Sequence, residues 1–95
     1  MNMEINPSEY KILIVDDVLS NVLLLKVLLT NENFTITTAN NGQQALEQVD
    51  KESPDLILLD VMMPDMSGFE VAQRLKENPN TAEIPIIFLT ALNST

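Results

Sequence analysis

Apolar residues along the chain alternate between short unbroken runs and longer periodic stretches, and each kind predicts a different element. Lys11-Ile-Leu-Ile-Val15 is a nearly continuous apolar run that ends in Asp16-Asp17. Such a run suits a strand covered on both faces, which has no polar side to show. From Val18 to about Asn31 the apolar positions Val18, Val22, Leu25 and Leu29 recur at spacings of three and four, the period of a helix with one inward stripe. Thr35 to Ala39 is a second, β-branched strand, after which Asn40-Asn41-Gly42 turns the chain. Gln43 to about Lys51 reads as a second helix with Ala45, Leu46 and Val49 inward, stopped by Ser53-Pro54.

Leu56-Ile-Leu-Leu-Asp60 is another buried strand that again ends in an aspartate. Ser67 caps a third helix running through Glu77, with Phe69, Ala72 and Leu75 as inward candidates, and Asn78-Pro79 ends it. Pro85 holds Ile84 extended and leads into Ile86-Ile-Phe-Leu-Thr90, a fourth strand. The order β-α-β-α-β-α-β predicts an α/β fold with a doubly wound parallel sheet, because right-handed crossovers lay the helices on its two faces.

Parallel sheets place ligand sites beyond the carboxyl ends of their strands. Asp16-Asp17, Asp60 and Thr90 all fall there. Taken singly, each has a plain structural role: Asp17 can cap the first helix, Asp60 a turn, and Thr90 can be a β-branched strand residue. Those roles do not explain why apolar runs should end this way together. Carboxylates brought close raise one another's pKa unless a cation neutralises them, and an all-oxygen ligand set suits a hard ion such as Mg2+ or Mn2+. An ionised Asp beside such an ion can attack phosphorus, and a nearby Thr hydroxyl can hydrogen-bond a phosphoryl oxygen.

Composition narrows the picture. Ninety-five residues of even composition fit one small domain, and 45% hydrophobic content is enough for a core. A net charge of -9 argues against direct nucleic-acid binding, which needs Lys and Arg to neutralise phosphates. The absence of cysteine excludes disulfides and thiolate metal sites, and the absence of histidine means that any phosphohistidine must come from a partner. Residues 1–9 are polar and acidic, unlike a secretory signal, and form a tail. The most apolar stretch, Val22 to Leu29, is interrupted by Lys26 and is far shorter than the roughly 20 residues of a membrane span, so the expectation is a cytoplasmic protein without a membrane segment.

Four segments then carry a resemblance that spans residues 10–95. They are Ile-Leu-Ile-Val-Asp16-Asp17 with Asn21 four residues on, Ala39-Asn-Asn-Gly42-Gln-Gln-Ala45-Leu46, Asp60-Val-Met-Met-Pro64-Asp-Met-Ser-Gly68, and Leu89-Thr90-Ala91. Together they resemble the receiver domain of bacterial two-component response regulators, a flavodoxin-like fold. The resemblance implies that Asp60 accepts a phosphoryl group from a histidine kinase or a histidine phosphotransfer protein. It implies Mg2+ bound by Asp17, Asp60, the backbone carbonyl of Met62, and Asp16 directly or through water, with Thr90 as the switch hydroxyl. It also implies a regulatory domain rather than an enzyme with an external substrate.

The departure lies at the C-terminus. Family members continue through a fourth helix, a fifth strand and a fifth helix, none of which follows Thr90 here, and the fifth strand carries a Lys-Pro whose lysine contacts the phosphoryl group. Lys11, Lys26, Lys51, Arg74 and Lys76 fall at the opposite sheet end or on helices, so none replaces it. Two expectations follow: the chain is a truncated receiver cut from a longer regulator or hybrid kinase, or it is a signalling-impaired module that acts through interactions alone. Either way Ile86 to Leu89 becomes an apolar sheet edge able to pair with another copy, predicting a homodimer.

Two further features remain open. Leu23, Leu24, Val27 and Leu28 give the first helix more apolar surface than one sheet contact uses, for packing or for docking a partner helix bundle. Met62, Met63 and Met66 either shape the site's entrance or fill gaps. A phosphatase using Asp as nucleophile would usually place a general acid two residues downstream, where this chain has Met62.

Overall fold

A computed structural model of the chain describes residues 6–89. After a short 3-10 turn at Pro7–Glu9, it runs β1 (Lys11–Val15), α1 (Leu19–Thr30), β2 (Thr35–Ala39), α2 (Gly42–Glu52), β3 (Leu56–Asp60), α3 (Gly68–Glu77) and β4 (Ile86–Leu89). All pairings are parallel, and the four strands lie in the order β2-β1-β3-β4. The expected fold class is therefore the observed one.

Strand alternation divides the core into two layers. Leu13, Val15, Ile57 and Leu59 face α2 and α3, meeting Ala45, Val49, Val71 and Leu75. Ile12, Ile14 and Leu58 face the other way and meet Val22, Leu25 and Leu29 of α1. The central strands β1 and β3 are buried on both sides, as their unbroken apolar runs require. Their register sets Val15 beside both Ala39 and Leu59, so β1, β2 and β3 finish at one level.

Two helix starts are fixed by side chains. Asn41 Oδ1 accepts the Gln44 N–H at 2.8 Å and begins α2, while Ser67 Oγ accepts the Glu70 N–H and begins α3 as expected. The Asp17 cap that the sequence allowed at the start of α1 does not form. Its N-cap is Val18, in extended conformation with no side-chain cap, and Asp16 rather than Asp17 takes up the Val18 N–H.

Two inward assignments also differ. Val18 is 45% exposed, because it precedes the first helical turn and its side chain points off the α1 stripe. Phe69 is 59% exposed: the buried face of α3 is Gly68, Val71 and Leu75, one step round the helix. Phe69 instead meets Phe88 of β4 edge-on, with ring centroids 5.0 Å apart. Leu23, Leu24, Val27 and Leu28 are exposed on α1, and Ile87 on β4.

Candidate functional site

The carboxyl ends of β1 and β3 bring the acidic residues together. Asp16 directly follows β1 and its N–H donates to the Ala39 carbonyl, which keeps it in line with the sheet. Asp60 is the last residue of β3, opposite Leu89. Asp16 is 4% and Asp60 8% exposed, while Asp17 opens to solvent. One carboxylate oxygen from each of Asp16, Asp17 and Asp60 lies within 4.8 Å of the others.

Backbone and amide donors hold Asp16 and Asp60. Asp16 Oδ1 accepts the Val18 N–H at 2.9 Å, and its Oδ2 accepts Nδ2 of Asn21 at 3.2 Å. Asp60 Oδ1 accepts the Met62 N–H at 3.2 Å. The Asp60 carboxyl titrates at about 6 rather than 3.8: burial is the main cause, the charge of Asp16 adds to it, and the Met62 N–H works against both. The three carboxylates border a cavity of about 240 Å³ that Asn21, Met62 and Leu89 help to line.

The loop from β3 to α3 sets the position of Asp60. Gly68 N–H donates to the Val61 carbonyl at 2.9 Å, folding the loop back on the end of β3. A Cβ at position 68 would lie 2.1 Å from the Asp60 carbonyl oxygen, so no larger residue fits without moving that peptide. Between them Met66 N–H bonds the Pro64 carbonyl across Asp65, which takes the left-handed conformation at φ 70°. Met66 packs on Gly42 at the start of α2, where a Cβ would meet its sulfur at 2.8 Å. Met66 is thus a packing residue, whereas Met62 is exposed beside the acids.

Chemically, the cluster is an all-oxygen anionic site, and among the described residues no cationic side chain sits beside it. Lys11 sits at the far end of the sheet, its Nζ on the Glu52 carbonyl, and Lys26, Lys51, Arg74 and Lys76 are on helices. Such a donor set fits a hard divalent cation. Asn21 is the member whose part the residues alone did not reveal; its position four residues after Asp17 was the available signal. Thr90 lies outside the described residues.

Comparison with known proteins agrees with this geometry. Residues 12–95 match the family described as the response regulator receiver domain. Over 83 residues the chain is 48% identical to the response regulator PleD of Caulobacter vibrioides, covering 87% of this chain and 18% of that protein. Over 90 residues it is 44% identical to a probable cyclic di-GMP phosphodiesterase of Vibrio cholerae, covering 95% of this chain and 20% of that protein. The N-terminal domain of a response regulator receiver protein from Methanoculleus marisnigri superposes with a TM-score of 0.85 at 40% identity, over 90% of this chain and 70% of that one. Vibrio cholerae chemotaxis protein CheY4 superposes with a TM-score of 0.83 at 33% identity, over 90% of this chain and 71% of that one.

The chain belongs to the response regulator receiver family, and its place is in two-component signalling. It spans about a fifth of the length of the first of these curated relatives. Among the described residues no helix is long and apolar enough to cross a membrane.

Proposed function

We propose that Asp60 is the phosphoacceptor and that Asp16, Asp17, Asp60 and the Met62 carbonyl hold Mg2+, with Mn2+ able to replace it. The observation that carries this reading is the convergence of three carboxylate oxygens within 4.8 Å at the carboxyl ends of β1 and β3. Held by these residues, a divalent cation would supply positive charge to offset that of the carboxylates and of the incoming phosphoryl group.

In the transfer, an Asp60 carboxylate oxygen attacks phosphorus of a partner's phosphohistidine, the O–P bond forms, and the P–N bond breaks. The electron pair returns to the imidazole, which takes a proton from solvent. Asp60 must be ionised to attack, and the metal-free carboxyl, raised to about 6, is largely so at neutral pH. The Met62 N–H orients the carboxylate, which lines the cavity that a phosphoryl group would enter. Thr90 would bond a phosphoryl oxygen and carry the change to the surface beyond β4.

The donor is a histidine kinase or histidine phosphotransfer protein; the domain is regulatory and acts in the cytoplasm without binding nucleic acid directly. Incubation with a small acyl-phosphate donor and Mg2+, read by intact mass, tests the acceptor. The expected result is one acid-labile phosphoryl group on the wild type and none on Asp60→Asn. No gain on the wild type would favour the reading as an interaction module. A gain that survives Asp60→Asn would remove Asp60 as acceptor.

A second copy is the other partner supported here. β4 pairs only with β3 among the described residues and exposes Ile87 and Phe88, which leaves one row of backbone groups for an added strand.

A further inference from the structure

We propose that Asn21 is a positioning residue that holds Asp16 in the orientation a bound cation requires, an inference that rests on the metal-binding reading of Asp16, Asp17 and Asp60. Asn21 lies in the first turn of α1, five residues after Asp16, and is exposed as a residue. An exposed polar side chain at this position would ordinarily face solvent. Its amide instead turns inward, donating to Asp16 Oδ2 at 3.2 Å and lining the same cavity as the three acids.

The Val18 N–H holds the other oxygen, Oδ1, at 2.9 Å. Two donors on two oxygens fix the plane of a carboxylate whose terminal torsion is otherwise broad. Each oxygen keeps a lone pair free for a cation or its water. The restraint has something to resist, because Asp16, Asp17 and Asp60 carry like charge within 4.8 Å and repel the Asp16 side chain towards solvent. A neutral amide is suited to holding Asp16 because it adds no charge that competes with the cation, as a Lys would.

Asn21 does not cap α1, since the Val18 N–H is already taken by Asp16, and Val18 rather than Asn21 is the N-cap. Loss of its amide therefore leaves the helix start intact and frees only the carboxylate. Residues that orient a metal ligand typically contribute about 10- to 100-fold in affinity.

The test is calorimetric titration of the whole chain with MgCl2 at pH 7.5, paired with the unfolding midpoint in chelator. The variants are Asn21→Ala, Asn21→Gln and, as a control on the same helical turn, Ser20→Ala. Asn21→Ala is expected to weaken Mg2+ binding about tenfold with the metal-free midpoint unchanged. Asn21→Gln, which keeps an amide donor, recovers most of that loss, and Ser20→Ala matches the wild type. Wild-type affinity in Asn21→Ala overturns the proposal. So does a loss that tracks the metal-free midpoint and that Gln fails to rescue, since that pattern marks a purely structural role. A wild type that takes up no Mg2+ at millimolar concentration overturns the metal reading itself, and this proposal with it.

Discussion

Replacing Asp60 by Asn should stabilise the metal-free protein, and by an amount that grows with pH. The folded-state carboxyl titrates at about 6, above its ordinary 3.8. Between those two values the folded chain keeps a proton that the unfolded chain has lost, so stability falls as pH rises through this window. The contribution is fully present below pH 3.8 and lost above about pH 6. At about 1.4 kcal/mol per pKa unit, the shift bounds the loss near 3 kcal/mol. Solvent reaching the mouth of the cavity screens the charges and brings the expected loss to about 2 kcal/mol.

Asp60→Asn removes that term while keeping an amide oxygen to accept the Met62 N–H. Urea unfolding in chelator, followed by far-ultraviolet circular dichroism, should give matching stabilities for the two proteins near pH 4. By pH 7.5 an advantage of about 2 kcal/mol should have opened for Asp60→Asn, or roughly 10 °C in Tm for a domain of this size. Saturating Mg2+ should then restore the wild type at pH 7.5 and do little at pH 4, where Asp60 is protonated. A difference between the two proteins that is flat with pH, or an Asp60→Asn variant that is less stable at pH 7.5, would refute the reasoning.

Other substitutions probe the scaffold and the partners. Gly68→Ala should destabilise by about 2–3 kcal/mol, because its Cβ would lie 2.1 Å from the Asp60 carbonyl oxygen; helix propensity alone predicts the opposite sign, so a gain in urea midpoint would exclude the clash. Asn41→Ala should cost about 1 kcal/mol by removing the cap on the Gln44 N–H, and an unchanged thermal midpoint would show that the cap contributes nothing. Ile87→Lys puts a charge on the exposed strand edge and should shift sedimentation towards the monomer; a wild type that is strictly monomeric at high concentration would refute edge pairing.

How far the sequence disclosed this architecture depended on how one-sided each segment is. β1 and β3 were legible to the residue, since an apolar run such as Leu56-Ile-Leu-Leu has only one stable use, burial on both faces. Convergence of Asp16, Asp17 and Asp60 was legible for the same reason: Asp60 terminates β3, and Asp16 and Asp17 are the first two residues after β1, in one parallel sheet. α1 was harder, because apolar residues surround it and periodicity cannot fix its rotation; Val22, Leu25 and Leu29 do face the sheet, while Val18 does not. Phe69 was grouped with Ala72 and Leu75 as inward, but the close approach of Gly68 to β3 turns the face of Gly68, Val71 and Leu75 towards the sheet and leaves Phe69 outside it.

Caps and contacts behind the acids were the least legible. Asn40-Asn41-Gly42 resembled a plain turn, and only the backbone shows that Asn41 starts α2. The amide of Asn21 on Asp16 depends on the entry angle of α1, which no local pattern encodes.

The most direct test of the central claim is to locate the phosphoryl group. After treatment with an acyl-phosphate donor and Mg2+, borohydride reduces an aspartyl phosphate to homoserine, and peptide mass spectrometry then finds the altered residue. Homoserine is expected at position 60 alone, dependent on Mg2+. Homoserine at Asp16 or Asp17, or full labelling of Asp60 in chelator, would contradict it.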